Sequence, residues 1–133
     1  MNKFVVSFVA LLAAVGGFLF FQQFKDKLPE PDSALYYKQA RTVKPFQLTD
    51  QHGNTFTNKQ LENKWSLVFF GYTSCPDVCP TTLQSLNFIY DDLAAIADTQ
   101  VLLVSVDPQR DTQEKLAQYI AYFNKKFIAL RAT

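Results

Sequence analysis

Two short apolar runs, each followed by a helical stripe, constrain this chain more than any other feature. The first run is Trp65-Ser66-Leu67-Val68-Phe69-Phe70-Gly71-Tyr72 and the second is Val101-Leu102-Leu103-Val104-Ser105-Val106. Short apolar runs bounded by turn residues suit strands buried on both faces. After the first, Leu83, Leu86, Ile89, Tyr90, Leu93 and Ile96 recur at helical spacing through Ala97. After the second, Leu116, Tyr119, Ile120 and Phe123 do the same. Both stripes read as core, as do Trp65 and Tyr72. Pro80 stands where the first helix begins, a place proline tolerates because its missing N–H has no partner there. Asp111 followed by Glu114 reads as a capping box for the second helix, with an acid in place of the usual Ser or Thr. Strand, helix, strand, helix calls for parallel pairing through a right-handed crossover, and so for an α/β body.

The flanks of this unit are also legible. Pro45–Asp50 and Thr55–Thr57 read as two short strands around the turn Gln51-His52-Gly53-Asn54, a hairpin with Gly53 supplying the unusual backbone angles. Phe127–Leu130 reads as the beginning of another element, close to the last residue, Thr133. Two central strands make a thin sheet, so the body is expected to be cut short. Leu28–Ser33, with two prolines, reads as a stiff polar spacer. Ahead of it, Phe4–Phe21 carries no charge. About 18 or more apolar residues can span a bilayer as a helix. A secretory signal is the alternative, but its apolar region usually runs about 7–15 residues, and here the run continues through Phe18–Phe21. Neither face of the run is polar, which disfavours a buried core helix. The expected organisation is an anchor with its flanks over 1–27, a linker over 28–42 and a domain over 43–133. Lys3 precedes the span, and Lys25 and Lys27 follow it, so the positive-inside rule does not decide orientation.

Composition narrows the function. The 133 residues carry a formal net charge of +1, with no run of like charges that would mark a nucleic-acid binder. Thirteen Phe and six Tyr belong to a packed body, not a disordered one.

The chemistry lies in Cys75 and Cys79, the chain's two cysteines, in the loop between the first apolar run and the first helix. Residues four apart at a helix start project to one side, so both sulfurs can reach one ion. The positive end of the helix favours thiolates. Soft thiolates select Cu(I). The same spacing permits a disulfide, since one helical turn separates Cα atoms by roughly 6 Å. Metal binding and disulfide formation exclude each other. Structural zinc usually needs four ligands, and only His52 is nearby in sequence. That histidine reads as an exposed turn residue, with a surrogate third ligand as the alternative. Asp77 is a candidate to support the thiols from behind or to act as a weak oxygen ligand, with a loop residue that orients the backbone at the helix start as the alternative. Asp107, with Arg110, is a candidate to shape the surface near the thiols, and the alternative is a loop ion pair without chemical consequence.

The run Gly71-Tyr72-Thr73-Ser74-Cys75-Pro76-Asp77-Val78-Cys79-Pro80-Thr81-Thr82-Leu83 resembles the signature of the SCO/SenC family. Val104–Thr112 resembles that family's second characteristic segment, and Asp50–Thr57 is similar to its leading hairpin. The resemblance covers about Val43 to Leu130. It implies a thioredoxin-like fold behind an N-terminal transmembrane helix, and copper as the metal. It also implies a role in delivering copper to the copper-bearing subunit of cytochrome c oxidase during assembly. In the family, copper is held by the two loop cysteines, which Cys75 and Cys79 match, and by one downstream histidine. No residue here matches that histidine, so the third ligand and the later strands are expected beyond residue 133 and the thioredoxin-like fold is expected to be incomplete. A bacterial inner-membrane protein facing the periplasm follows. A metallochaperone makes and breaks no substrate bond and is not an enzyme in the strict sense. The alternative is a thiol–disulfide oxidoreductase acting on the oxidase's copper-site cysteines, with Cys75 and Cys79 as its redox-active disulfide. Thioredoxin-type enzymes usually place two residues between their cysteines, where this chain has three.

Overall fold

The structure is a computed structural model that describes residues 3–25, 34–37 and 39–132. The chain divides into two compact units, Met1–Thr42 and Val43–Thr133. In the first, α1 (Lys3–Lys25) is one unbroken helix of 23 residues. At 1.5 Å per residue this is about 35 Å, enough for a hydrocarbon core of about 30 Å. Its Val5–Gln22 window has a mean hydropathy of 2.2 and none of it is buried, so the helix is long and apolar enough to cross a membrane. The spacer Leu28–Ser33 lies outside the described residues.

The second unit is a five-stranded mixed sheet in the order β2-β1-β5-β4-β3. Its strands are β1 (Gln47–Asp50), β2 (Thr55–Thr57), β3 (Trp65–Gly71), β4 (Thr99–Ser105) and β5 (Ile128–Arg131), with a 3-10 turn over Asn58–Leu61. The helices are α2 (Val78–Ile96) and α3 (Gln113–Phe123). β3, β4 and β5 run parallel, with Leu67 opposite Val101 and Leu103 opposite Ala129. β1 pairs antiparallel with β2 on one side and with β5 on the other. The expected hairpin forms, with Gly53 at φ +85, and Phe127–Leu130 does open a further strand. Buried Gln51 fastens the hairpin to that strand: its amide donates to the Phe127 carbonyl at 3.2 Å and accepts the Ala129 N–H at 2.9 Å.

Both helices pack on one face of the sheet. Leu83 and Tyr90 of α2, Leu116 and Ile120 of α3, Val101 and Leu103 of β4, and Phe127 and Ala129 form a single cluster. Leu83, Val101, Leu103, Leu116, Phe127 and Ala129 are wholly sealed from water. The other face carries Phe56, Leu102 and Leu130, with Phe46, Leu48, Leu61, Val104 and Ile128 around them. Neither α2 nor α3 packs there, and only Leu61 of the 3-10 turn reaches it from outside the strands and the segment before β1.

Four expectations need correction. β3 is not buried on both faces: it is an edge strand, with Val68 and Phe70 49% and 66% exposed. Trp65 is not core but stands at the open end of that edge, 72% exposed. The α2 stripe is core only in part: Leu83 and Tyr90 are buried, whereas Ile89 and Ile96 face water. Asp111 does not cap α3. Thr112 does, its hydroxyl accepting the Lys115 N–H at 3.3 Å, and Asp111 turns inward one residue earlier.

Candidate metal centre

The loop from Tyr72 to Asp77 leaves the C-terminal end of β3 and feeds α2. Its path is fixed from two sides. Gly71, the last residue of β3, accepts the Val106 N–H at 3.0 Å, which holds β3 level with β4 where the loop departs. Asp111, 1% exposed, reaches across from the start of α3. Its carboxylate accepts the Thr73 hydroxyl at 2.6 Å, the Thr73 N–H at 3.2 Å and the Ser105 hydroxyl at 2.6 Å. One buried acid thus binds the cysteine loop, the end of β4 and the α3 start into a single piece. Sequence reasoning missed this role. The signal is a pair of strand-end hydroxyls, Thr73 and Ser105, which become neighbours only once Gly71 is known to pair with Ser105.

The two cysteines are brought together. α2 begins at Val78, two residues before Pro80, so Cys79 lies in its first turn. The Asp77 side chain makes no capping hydrogen bond. The Cys75 sulfur takes that place, accepting the Cys79 N–H at 3.4 Å. Cys75 is partly exposed, Cys79 is buried, and both are free thiols. Cys79 points inward like Leu83 one turn later. There is no room for a side chain at Gly71, because a Cβ would stand 2.8 Å from the Phe69 ring and 3.1 Å from the Cys79 sulfur.

The thiols differ electrically. Hydrogen bonds from the Cys79 thiol and then from its N–H hold the Cys75 pKa below its ordinary value, with smaller help from the Asp77 N–H and the Tyr72 hydroxyl. Burial pushes the Cys79 thiol up, and the nearby Cys75 and Asp111 charges add to it. The reduced pair is therefore one sulfur ready as thiolate and one that keeps its proton until a cation displaces it.

The remaining candidates are placed as follows. Asp77 is exposed at the N-cap of α2 and meets Cys75 through its backbone. Asp107 pairs with Arg110, and its N–H donates to the Ser105 hydroxyl at 3.1 Å. His52 lies in the hairpin turn, exposed, its N–H on the Asp50 carboxylate at 2.8 Å. β1 and β3 are separated by β5 and β4, which puts the turn three strand spacings, roughly 14 Å, from the cysteine loop. Among the described residues no three His, Cys, Asp or Glu side chains converge as metal ligands. What the centre offers is two sulfurs, matched to a soft cation of low coordination number.

A parallel βαβ core with a dithiol where a strand hands over to a helix defines a thioredoxin-like thiol protein. The sequence profile of the SCO1/SenC family matches residues 35–133, and the chain belongs to that family. An SCO2-like protein of Rickettsia prowazekii is 41% identical over 97 residues, covering 72% of this chain and 47% of its own length. The chain spans about half the length of the relatives it matches. Among solved structures, copper-bound ScoI of Bradyrhizobium japonicum superposes with a TM-score of 0.63 at 41% identity, over 67% of this chain and 57% of that one. Copper-bound yeast Sco1 gives 0.63 at 36% identity, over 67% and 58%.

Proposed function

We propose that this chain is a membrane-tethered copper carrier, with Cu(I) as its cargo and Cys75 and Cys79 as the sulfur ligands. The observation that carries this reading is the convergence of the two thiols at the start of α2, with the Cys75 sulfur on the Cys79 N–H. Family membership and copper-bound relatives of the same fold support it. Cu(I) enters on the exposed Cys75 thiolate and expels the proton of Cys79. The ion leaves by ligand exchange, with no substrate bond made or broken. The recipient, on family grounds, is the copper-bearing subunit of cytochrome c oxidase. α1 holds the domain at a bacterial inner membrane with the thiols facing the periplasm. Asp77 and Asp107 shape the loop backbone around the thiols, and neither is a ligand.

The test is anaerobic titration of the reduced chain in detergent with Cu(I), against a competing chelator. One equivalent is expected, and Cys75→Ala or Cys79→Ala should abolish uptake. Unchanged stoichiometry in either variant rules the reading out. The unlike thiols favour one second reading, thiol–disulfide exchange with Cys75 as nucleophile and Cys79 as resolving thiol. A Cys79→Ser variant then traps a mixed disulfide with its partner through Cys75. Its absence on incubation with the oxidase subunit leaves the carrier reading alone.

A further inference from the structure

The Asp111 carboxylate accepts two side-chain hydroxyls, and the two belong to different kinds of chain. Ser105 ends β4, the enclosed strand between β3 and β5, so the sheet sets its place whatever its hydroxyl does. Thr73 stands in the cysteine loop. It is the second residue of a tight turn, Tyr72-Thr73-Ser74-Cys75, closed by the Cys75 N–H on the Tyr72 carbonyl at 3.2 Å. Only Pro76 separates that turn from the N-cap of α2 at Asp77. Its ring fixes its own φ and keeps the Cys75 backbone out of the helical region. From Tyr72 to Asp77, Thr73 alone among the described residues hydrogen-bonds to a part of the domain other than α2. It does so through its hydroxyl at 2.6 Å and its N–H at 3.2 Å, both on Asp111. The loop is thus pinned at Thr73 and clamped at α2, with Cys75 on the short stretch between. With both ends fixed, the Cys75 sulfur rests on the Cys79 N–H at 3.4 Å.

We infer that Thr73 is a positioning residue for the metal: its hydroxyl, held by Asp111, keeps the turn in the orientation that presents the Cys75 sulfur beside Cys79. A ligand pair already in place binds without first ordering its loop, so this anchor is felt as affinity. Ser105 shares the same carboxylate but sits in a strand that the sheet already holds, so its hydroxyl is felt as stability. One carboxylate therefore serves two ends, and the two hydroxyls on it separate them. The inference rests on the copper-carrier reading for its cargo, whereas the placement of Cys75 is open to test without metal.

The test compares variants of the full chain, reduced and in detergent. Thr73→Val and Ser105→Ala each take one hydroxyl from Asp111, and Thr73→Ser keeps one at that place. Loss of a hydrogen bond to a charged group predicts Cu(I) affinity about tenfold weaker in Thr73→Val, read by competition with a chelator. Thr73→Ser should recover most of it. Ser105→Ala should melt at least as low as Thr73→Val, yet bind Cu(I) within about twofold of the parent. Equal weakening in Thr73→Val and Ser105→Ala makes the effect one of stability and overturns the inference. So does an affinity in Thr73→Val within about twofold of the parent. The measurement without metal is amide hydrogen exchange. The Cys79 N–H lies in the first turn of α2, where no helical carbonyl can accept it, so the Cys75 sulfur is its protection. In Thr73→Val it should exchange roughly tenfold faster, beyond any change in the β4 amides, which report opening of the whole domain. A parent that takes up no Cu(I) defeats the carrier reading, and the exchange rates then decide the placement of Cys75 alone. A Cys79 rate that only follows the β4 amides overturns the inference in either case.

Discussion

Asp111 shows how a single side chain can hold a site together without touching its cargo. Its carboxylate satisfies Thr73 and Ser105, both at strand ends, and Thr73 lies two residues from Cys75. Asp111→Ala leaves those donors facing a void. Hydrogen bonds to a charged group contribute about 1.5–3 kcal/mol each, and orphaned donors add their desolvation. The variant is expected to lose at least about 3 kcal/mol in urea denaturation, and Asp111→Asn, which keeps the volume, should lose less. The thiols give a second expectation at this scale. Cys75 is partly exposed with a depressed pKa, and Cys79 is buried with a raised one. Iodoacetamide should therefore alkylate Cys75 first, at a pH below the ordinary thiol range, and reach Cys79 only at higher pH or on unfolding. Peptide mapping by mass spectrometry across pH reads both rates, and equal labelling at neutral pH contradicts the asymmetry. The folding linkage has the matching signs. The Cys75 contribution is present at alkaline pH and fades as pH falls through its lowered pKa. The Cys79 contribution is present at neutral pH and fades as pH rises through its raised one.

At the scale of elements, the meeting of β3 with α2 is the part most sensitive to volume. A methyl group at Gly71 collides with the Phe69 ring and the Cys79 sulfur. The backbone there is ordinary extended chain, so the conflict is one of space. Overpacking of this kind costs about 1–3 kcal/mol. Gly71→Ala should lower the urea midpoint and also weaken Cu(I) uptake, because the sulfur itself must move. A stability loss with unchanged uptake would mean that the Phe69 ring alone gives way. Much of this junction is legible in sequence, since an apolar run, a loop with two thiols and a helical stripe follow one another. What the sequence hides is burial. β3 and β4 are both predominantly apolar, yet β4 is enclosed almost throughout and β3 lies open on one side. Strand order decides that, and strand order is a long-range property. Ile89 and Ile96 likewise hold helical spacing without reaching the core. Asp111 looks like a cap from its neighbours alone, because Thr73 and Ser105, which claim it, are 38 and 6 residues away.

The domain of residues 43–133 has one face of its sheet sealed by α2 and α3. The other bears a cavity of about 300 Å³ lined by Val43, Phe46, Leu48, Phe56, Val68 and Phe70, among others. The sealed face holds six of the eight large apolar side chains that water does not reach, from Leu83 to Phe127, with Leu102 and Leu130 on the other face. Cooperative unfolding requires one well-packed core, and that face supplies it. Residues 43–133 alone are thus expected to melt in a single transition by circular dichroism. Val68 and Phe70 on the open face add little to that stability, because they already keep about half or more of their surface in water. Replacing both with Thr should leave the melting temperature within a few degrees. It should also sharply reduce binding of a fluorescent apolar dye such as ANS. The two measurements together test how the fold divides its work. Dye binding that survives the double substitution would place the exposed apolar surface elsewhere. A broad, gradual melt in the parent domain would mean that one covered face does not suffice for a unique native state. The hairpin supplies the discriminating variant. Gln51→Ala removes the amide that pairs with the Phe127 carbonyl and the Ala129 N–H, leaving two buried backbone groups without partners. A loss of about 2–4 kcal/mol is expected in a domain that folds as one body. A domain whose β1–β2 edge melts separately would instead show a second, earlier transition.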